Sequence, residues 1–412
     1  MKHVERYRDV PAFLRDRLGF LEEAAATRGP VAELRLGRRT LLLTQPADVE
    51  HVLLRNQRAY TKTPRLVGAG GRRLLGEVLI TVAGDAHLER RRSLAPAFQR
   101  RLSEELAGHA VPAAAALAER WADGAVVDAE SELAWLARRT IRHALFGPTS
   151  SAEDPAFDRA VETRRRAIER SFRVPVVLPW PAPSRGHRAA LRVLRSTIDA
   201  ELRRSSSGEP RLLPLLVEAL GSQGARDEAV MLLVTGHETL GVALAWTVQL
   251  IATHPDVEAR LVESIPARDP VPADLPSLEV AAGAFDESLR LYPPTWIFVR
   301  VSTAPDVLPS GVRVEQGTKL YLSPYVLHRS RGLFPDPERF DPDRSLEEGY
   351  IPFGGGPRLC IGKRYARAAG TLALTALYRR VRFEPVRPEA VTPEPGIVLR
   401  PRGGLPMRVW MR

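Results

Sequence analysis

Cysteine is almost missing from this 412-residue chain, and Cys360 is the only one. A lone thiol excludes an intramolecular disulfide framework and suits a reducing cytoplasm, where the protein is expected to reside. Long apolar runs are missing too. No segment reaches the roughly 18 uninterrupted apolar residues that a membrane span needs, and Met1 to Gly19 lacks the apolar core of a signal peptide. No membrane anchor is therefore expected. Lysine is scarce: Lys2, Lys62, Lys319 and Lys363 are the only ones, so arginine carries most of the net charge of +11. The basic residues are spread over the whole length, with no helix-turn-helix, zinc-finger or RNA-binding pattern, which argues against nucleic acid. A solvated arginine-rich surface, able to meet an acidic protein partner, is the better reading. Internal repeats and Gly/Ser linkers are also absent, so residues 1–412 are expected to form one domain.

What is present is mainly helix with small β-sheet regions. Residues 10–27 read as a first helix, and Val31 to Thr44 as two short strands joined at Gly37-Arg38. Pro46 opens another helix, as proline is tolerated in a first turn. Pro64 to Ala83 reads as a long glycine-rich loop facing something apolar. Helices dominate from Asp85 to about residue 292, interrupted at Phe172 to Arg185. After Pro293-Pro294, short strands are expected at Phe298 to Val301, Val312 to Val314 and Lys319 to Leu322, followed by a proline-punctuated meander over Pro335 to Arg344. The β-containing portions, about 28–60 and 293–412, would flank a helical body.

The most informative stretch is Phe353-Gly354-Gly355-Gly356-Pro357-Arg358-Leu359-Cys360-Ile361-Gly362. A lone cysteine is more often a small buried hydrophobe. Here it lies on a glycine-rich loop running into the predicted helix Gly362 to Tyr378, where unpaired N–H groups and the helix dipole favour a thiolate. Three glycines let a backbone approach something flat, and Arg358 adds a cation. Together these point to a thiolate ligand for a metal cofactor that carries carboxylates, a description haem fits. Phe353, Gly356, Arg358, Cys360 and Gly362 fill a pattern that resembles the haem-binding loop of the cytochrome P-450 family at every defined position. The resemblance implies the P-450 fold, with a long central helix over haem b, and Cys360 as the iron ligand.

Asp227 to Thr253 reads as one buried helix of about seven turns, stopped by His254-Pro255. Thr235-Gly236-His237-Glu238-Thr239 in its middle is costly, combining a helix-weakening glycine with a buried carboxylate. A threonine bonding back to a carbonyl one turn earlier, beside a packing glycine, is the bland explanation. The family places an acid–alcohol pair on such a helix, so the resemblance assigns Glu238 and Thr239 to proton delivery for oxygen activation and Gly236 to the cofactor groove. The chain departs from the family at Thr235, more often Ala or Gly, and at Leu240, often Thr.

Glu287 and Arg290, three apart on the helix Leu278 to Tyr292, lie on one face. The resemblance joins them to Arg339 of Pro337-Glu338-Arg339-Phe340 in a buried charge network that locks the meander beneath the cysteine loop. It also implies that His87 and Arg91, four apart, together with Arg300 and Arg358, contact the haem propionates.

The implied activity is a haem-thiolate monooxygenase inserting one atom of O2 into a lipophilic small molecule: a terpenoid, steroid, fatty acyl or polyketide compound of bacterial secondary metabolism. The expected pocket comprises Leu74, Leu75, Val78, Leu79, Ile80, Val234, Thr235, Thr295, Trp296, Ile297, Phe298, Ile397 and Val398, with a contribution from Phe172 to Trp180. Arg164, Arg165, Arg166, Arg170 and Arg173 would either greet a carboxylate at the entrance or form a solvated face. With no fused reductase expected, electrons would come from a ferredoxin and its reductase, docked on Arg92, Lys363, Arg364 and Arg367. A monomer is expected. The alternatives are a peroxide-driven haem peroxygenase, a non-catalytic haem-binding protein, and a Cys–His hydrolase using Cys360 as nucleophile. The last explains neither Arg358 nor the glycines.

Overall fold

The computed structural model describes residues 6–148, 154–173, 183–204, 210–387 and 391–412. The chain folds into two compact units, each drawn from two stretches: Met1–Pro64 with Leu289–Cys360, and Arg65–Ser288 with Ile361–Arg412. The two β-bearing regions expected at the chain ends are thus divided differently. Residues after Cys360 belong with the helical body rather than with the strands that precede them.

The first unit is built on a five-stranded sheet in the order Val31–Leu36, Arg38–Leu43, Lys319–Leu322, Phe298–Ser302, Tyr60–Thr61. Arg38–Leu43 runs parallel to Lys319–Leu322, with Thr40 opposite Lys319; the other pairs are antiparallel. In Lys319–Leu322 Leu320 and Leu322 turn inward, the period of two that a one-sided strand requires. They meet Leu41, Leu43, Val49, Val52 and Leu53 in one apolar cluster. At about 1.5–3 kcal/mol for each fully buried Leu or Val, this cluster drives the unit's assembly. The predicted first helix is split into Val10–Arg15 and Arg17–Thr27. Asp16 leaves helical geometry at φ −145°, ψ 99°, and its carboxylate accepts from the Gly19 amide at 3.1 Å, capping a new start.

The second unit surrounds the helix Leu212–Ala252. It begins well before the predicted Asp227 because Leu212, Leu213 and Leu216 are buried and extend the apolar pattern. Gly221, at φ 68° and ψ 170°, is not helical, so two helices meet there end to end. The C-terminal one is the predicted central helix. Among the described residues it belongs to the one helix long and apolar enough to cross a membrane, yet 78% of that window is buried inside the protein. It is a core helix. The helix Ala129–Phe146 packs closely on it at two glycines. A Cβ on Gly241 would stand 2.8 Å from the Ala134 Cα, and one on Gly236 would stand 2.5 Å from the Ile141 Cδ1.

Pro64 to Ala83, expected as a loop, contains two short helices, Pro64–Val67 and Ala69–Leu75. Leu74 and Leu75 bury a face that the glycines around them do not reveal. The predicted break after Phe172 falls largely on residues 174–182, outside the described residues. The predicted helix after the cysteine loop is Lys363–Tyr378, and the strands Val126–Asp128, Val381–Pro385 and Pro406–Met411 complete a small sheet.

Candidate haem-thiolate site

Cys360 is exposed on a loop closed by its own backbone. Its amide donates to the Phe353 carbonyl at 2.9 Å, and the Leu359 amide donates to Gly356 at 3.0 Å. Gly356 has φ +61°, and a Cβ there would fall 1.9 Å from the Leu53 carbonyl oxygen. The glycine expected to admit a flat cofactor is therefore required first by protein backbone, because the loop lies directly on His51–Arg55. That turn is held in place by Asp306, whose Oδ2 accepts from His51 Nε2 at 2.8 Å, Asn56 Nδ2 at 2.9 Å and Tyr60 Oη at 2.5 Å. Burial alone would raise the Asp306 pKa, but these three donors outweigh it and hold the carboxyl down at about 2. Gly362 caps the following helix with open space where a side chain would be.

The meander is locked by Arg290 and by a residue the motifs did not single out, His328. Glu287 and Arg290 are both fully buried on the helix Glu279–Leu291. Arg290 Nη1 donates to the carbonyls of His328 at 2.8 Å and Pro337 at 2.7 Å, while Nη2 donates to that of Arg339 at 3.1 Å. This corrects the expectation for Arg339. It joins through its main-chain oxygen, and the residue itself is exposed, because Arg290 takes up the meander's carbonyls and leaves the second guanidinium to solvent. His328 answers Arg290 reciprocally: Nδ1–H donates to the Arg290 carbonyl at 3.0 Å, and Nε2 accepts from the Ile351 amide at 2.9 Å. A ring fixed at both nitrogens ties the end of that helix to the residues just before the cysteine loop. Complete burial, and then the cation of Arg290, keep the ring neutral, with a pKa down to about 3. The sequence signal was available only as a histidine in an otherwise apolar turn, Tyr325-Val326-Leu327-His328.

The predicted propionate anchors fall into both units. Arg300 and Arg358 line a small cavity with Val52, Leu53, Gln57 and Tyr60. Continuing the register of Tyr60 opposite Ser302 and Thr61 opposite Val301 sets Lys62 opposite Arg300. Lys62 is a cation that the motifs missed. Burial, followed by the charges of Arg358 and Arg300, drives its pKa well below the ordinary value, and burial with Arg358 brings Arg300 down to about 10. Three cations that raise one another's cost suit an anionic group between them. In the other unit His87 is buried and lies one turn from Arg91 on Gly84–Leu94. The neighbouring Arg90 pairs with the buried Glu228 at 3.1 Å, and Glu228 also accepts from the Leu79 amide.

On the central helix, the Thr239 hydroxyl donates to the Thr235 carbonyl at 2.8 Å, and the Thr235 hydroxyl donates to Met231 in the same way. Helical geometry continues through this stretch, so each threonine bonds back one turn and the ladder stays closed. Gly236, expected at the cofactor groove, faces Ile141 and serves helix packing. Glu238 is buried and accepts from Arg400 and, at 3.4 Å, from Arg165. Those two guanidiniums pair in turn with Glu130 at 2.6 Å and with Glu162 and Glu169 at 2.8 and 3.0 Å. The carboxylate is therefore one end of a charged chain through Glu130, Glu162 and Glu169, each of them only partly buried. Arg400 and Arg165 lie far from Glu238 in sequence, which hides this chain from motif reading. His237 beside them is buried and bonds back to Leu233; burial holds its pKa down at about 4.

Of the predicted pocket residues, Leu74, Leu75, Val78, Ile80, Val234 and Ile397 gather in one apolar cluster with Leu66, Ile168 and Met231. Leu79 instead packs on the main helical core. Val398 is buried in the same unit. Thr295, Trp296, Ile297 and Phe298 belong to the first unit, where Phe298 packs against the sheet cluster and the Trp296 carbonyl accepts from Ser323 at 2.8 Å.

The cytochrome P450 family model matches residues 15–406. Pentalenene oxygenase of Streptomyces avermitilis is 32% identical over 92% of this chain and 90% of its own length. The cyclooctat-9-en-7-ol 5-monooxygenase of Streptomyces melanosporofaciens is 34% identical over 91% and 87%. A 6-coordinated P450 from Thermus thermophilus superposes with a TM-score of 0.77 and 31% identity, covering 96% of this chain and 99% of that one. The chain belongs to the cytochrome P450 family, as a haem-dependent monooxygenase.

Proposed function

We propose that this P450 carries haem b on Cys360 and oxidises a terpenoid with electrons from an acidic ferredoxin. The exposed thiol of Cys360, on a loop fixed by backbone contacts, is the observation that carries the reading. The residues present suit the group: a thiol for the iron, and Lys62, Arg300 and Arg358 for its carboxylates. Haem, when bound, supplies activation of dioxygen; the chain supplies orientation, proton delivery and exclusion of water.

Proton delivery would run along Glu238. Its ion pairs with Arg165 and Arg400 hold the carboxylate on the arginine side, so release from one of them precedes a proton's passage toward Thr239. The Thr239 hydroxyl gives its own proton to Thr235 and keeps its lone pairs available to accept another. The terpenoid assignment rests on the relatives named for pentalenene and cyclooctat-9-en-7-ol and on the apolar cluster around Leu74 and Val234. Arg92 and Arg364 are exposed for docking, whereas Arg367 is tied to Asp286.

Purified protein should show the CO-bound ferrous Soret band that gives the family its name, and Cys360→Ser should lose that band and product formation together. A Cys360→Ser protein that keeps both would sink the assignment. Matching product yields with peroxide alone would move it to a peroxygenase.

A further inference from the structure

The helical unit contains a cavity of about 280 Å³ that borders the proposed substrate cluster through Leu74 and Leu75. Leu74, Leu75, Leu191 and Val230 give it an apolar side, and Arg164, Arg195, Asp227 and Glu77 a charged one. Arg72 and Arg73 stand exposed at its border. Arg164 is the unusual member, being 2% exposed. Its Nη1–H donates to His187 Nε2 at 3.1 Å and its Nη2–H donates to the Leu75 carbonyl at 3.2 Å. Its buried Nε–H reaches no acceptor among the described residues.

Because Nε2 of His187 accepts, the ring proton resides on Nδ1, and that buried donor likewise reaches no acceptor among the described residues. Burial and the neighbouring Arg164 keep His187 neutral, with a pKa of about 4. Of the two carboxylates on the cavity, Glu77 is exposed, and Asp227 favours the charged Arg164 only from a distance, being paired with Arg195 at 2.7 Å. The next residue shows what a fully matched arginine looks like here. Arg165 is surrounded by Glu162, Glu169 and Glu238. A buried cation with donors to spare is expensive unless an anion completes it.

We infer that this cavity is a carboxylate site adjoining the substrate cluster, taking the carboxylate of a lipophilic compound on Arg164 and its apolar chain on Leu74, Leu75, Leu191 and Val230. A guanidinium binds a carboxylate as a fork, with two parallel N–H···O bonds, and the leucines favour a hydrocarbon tail over a bare ion. The site stands on the geometry of the helical unit alone and does not depend on the haem assignment.

The test uses haem-loaded protein and a matched pair of probes, decanoate and decanol, titrated calorimetrically and by tryptophan fluorescence, with inorganic phosphate as a head-only control. Decanoate should bind at least about tenfold more tightly than decanol to the wild type. Arg164→Met should abolish that preference while leaving decanol binding unchanged. Equal affinities in the wild type, or a preference that survives Arg164→Met, would overturn the site. Phosphate binding tightly on its own while decanoate gains nothing over decanol would overturn the carboxylate assignment. If the methionine variant does not fold, Arg164→Gln replaces it with the same two criteria. Loss of the Soret band in a protein that still distinguishes the probes would count against the haem reading only.

Discussion

Two buried arginines show how differently one side chain is used. Arg290 is fully buried and spends its guanidinium on the carbonyls of His328, Pro337 and Arg339, in a helix that also carries the buried Glu287. Arg164 is nearly as buried, yet it meets a neutral histidine and one carbonyl and keeps an N–H unmatched among the described residues. The first is a structural clamp, complete without any ligand. The second is completed only by something brought to it. Burial alone does not separate the two; the inventory of acceptors does.

The comparison breaks most severely at Arg290. Arg290→Met leaves three carbonyls without their donor and takes the buried cation from the helix that carries Glu287. It should cost about 3–5 kcal/mol, the usual penalty for orphaning a buried charge. Urea denaturation of the variant measures this directly. Since the same carbonyls frame the segment leading to Cys360, haem content should fall with stability. A variant that keeps full haem content and an unchanged urea midpoint would remove the clamp from the account.

His328 supplies the next test, through pH. Its folded pKa is about 3 against an ordinary 6.5, so as pH falls below about 6.5 the unfolded chain takes the proton first. The stability it contributes is whole above that ordinary value and drains away as pH falls toward the folded one. His187 and His237, both at about 4, act in the same direction. His328→Gln should lose about 1–3 kcal/mol at neutral pH, from one mismatched buried hydrogen bond, and should flatten the acid limb of stability against pH. An acid limb as steep as the wild type's would mean that other groups carry it.

How legible these features were in the sequence follows from range. The cysteine loop, the Glu287–Arg290 spacing and the central helix are local patterns, and the chain folds them close to where they are read. Arg339 was misread because a motif names residues, not atoms: the contact is made by its carbonyl. Gly356 is one of three glycines read together as letting the backbone approach something flat, and its own neighbour is the Leu53 carbonyl, far earlier in the chain. Asp306, Arg400, His328 and Lys62 matter through partners distant in sequence, and no spacing rule reaches them.

Lys62 lies between the two arginines in character. Its burden comes from burial and from the charges of Arg358 and Arg300, which an anion would relieve. Lys62→Met should therefore act with opposite signs on two states: the haem-free protein gains stability toward urea, while the haem-loaded one releases haem several-fold faster to a scavenging globin. Movement of both measurements in the same direction would remove Lys62 from the cation group that receives the propionates.

The smallest effect is expected at Arg164, and its smallness is the point. Replacing Arg164 by Met removes a desolvated cation and its one N–H unmatched among the described residues, but leaves the Leu75 carbonyl and His187 Nε2 without a donor. Relief of the buried charge and loss of two hydrogen bonds oppose each other, so the stability toward urea should shift by no more than about 1 kcal/mol. Against the loss predicted for Arg290→Met, this measures what the two acceptor inventories imply: one arginine holds the fold together, and the other is tolerated by it. If Arg164→Met were as destabilising as Arg290→Met, the cavity arginine would be a clamp as well, and the carboxylate site would lose its physical basis.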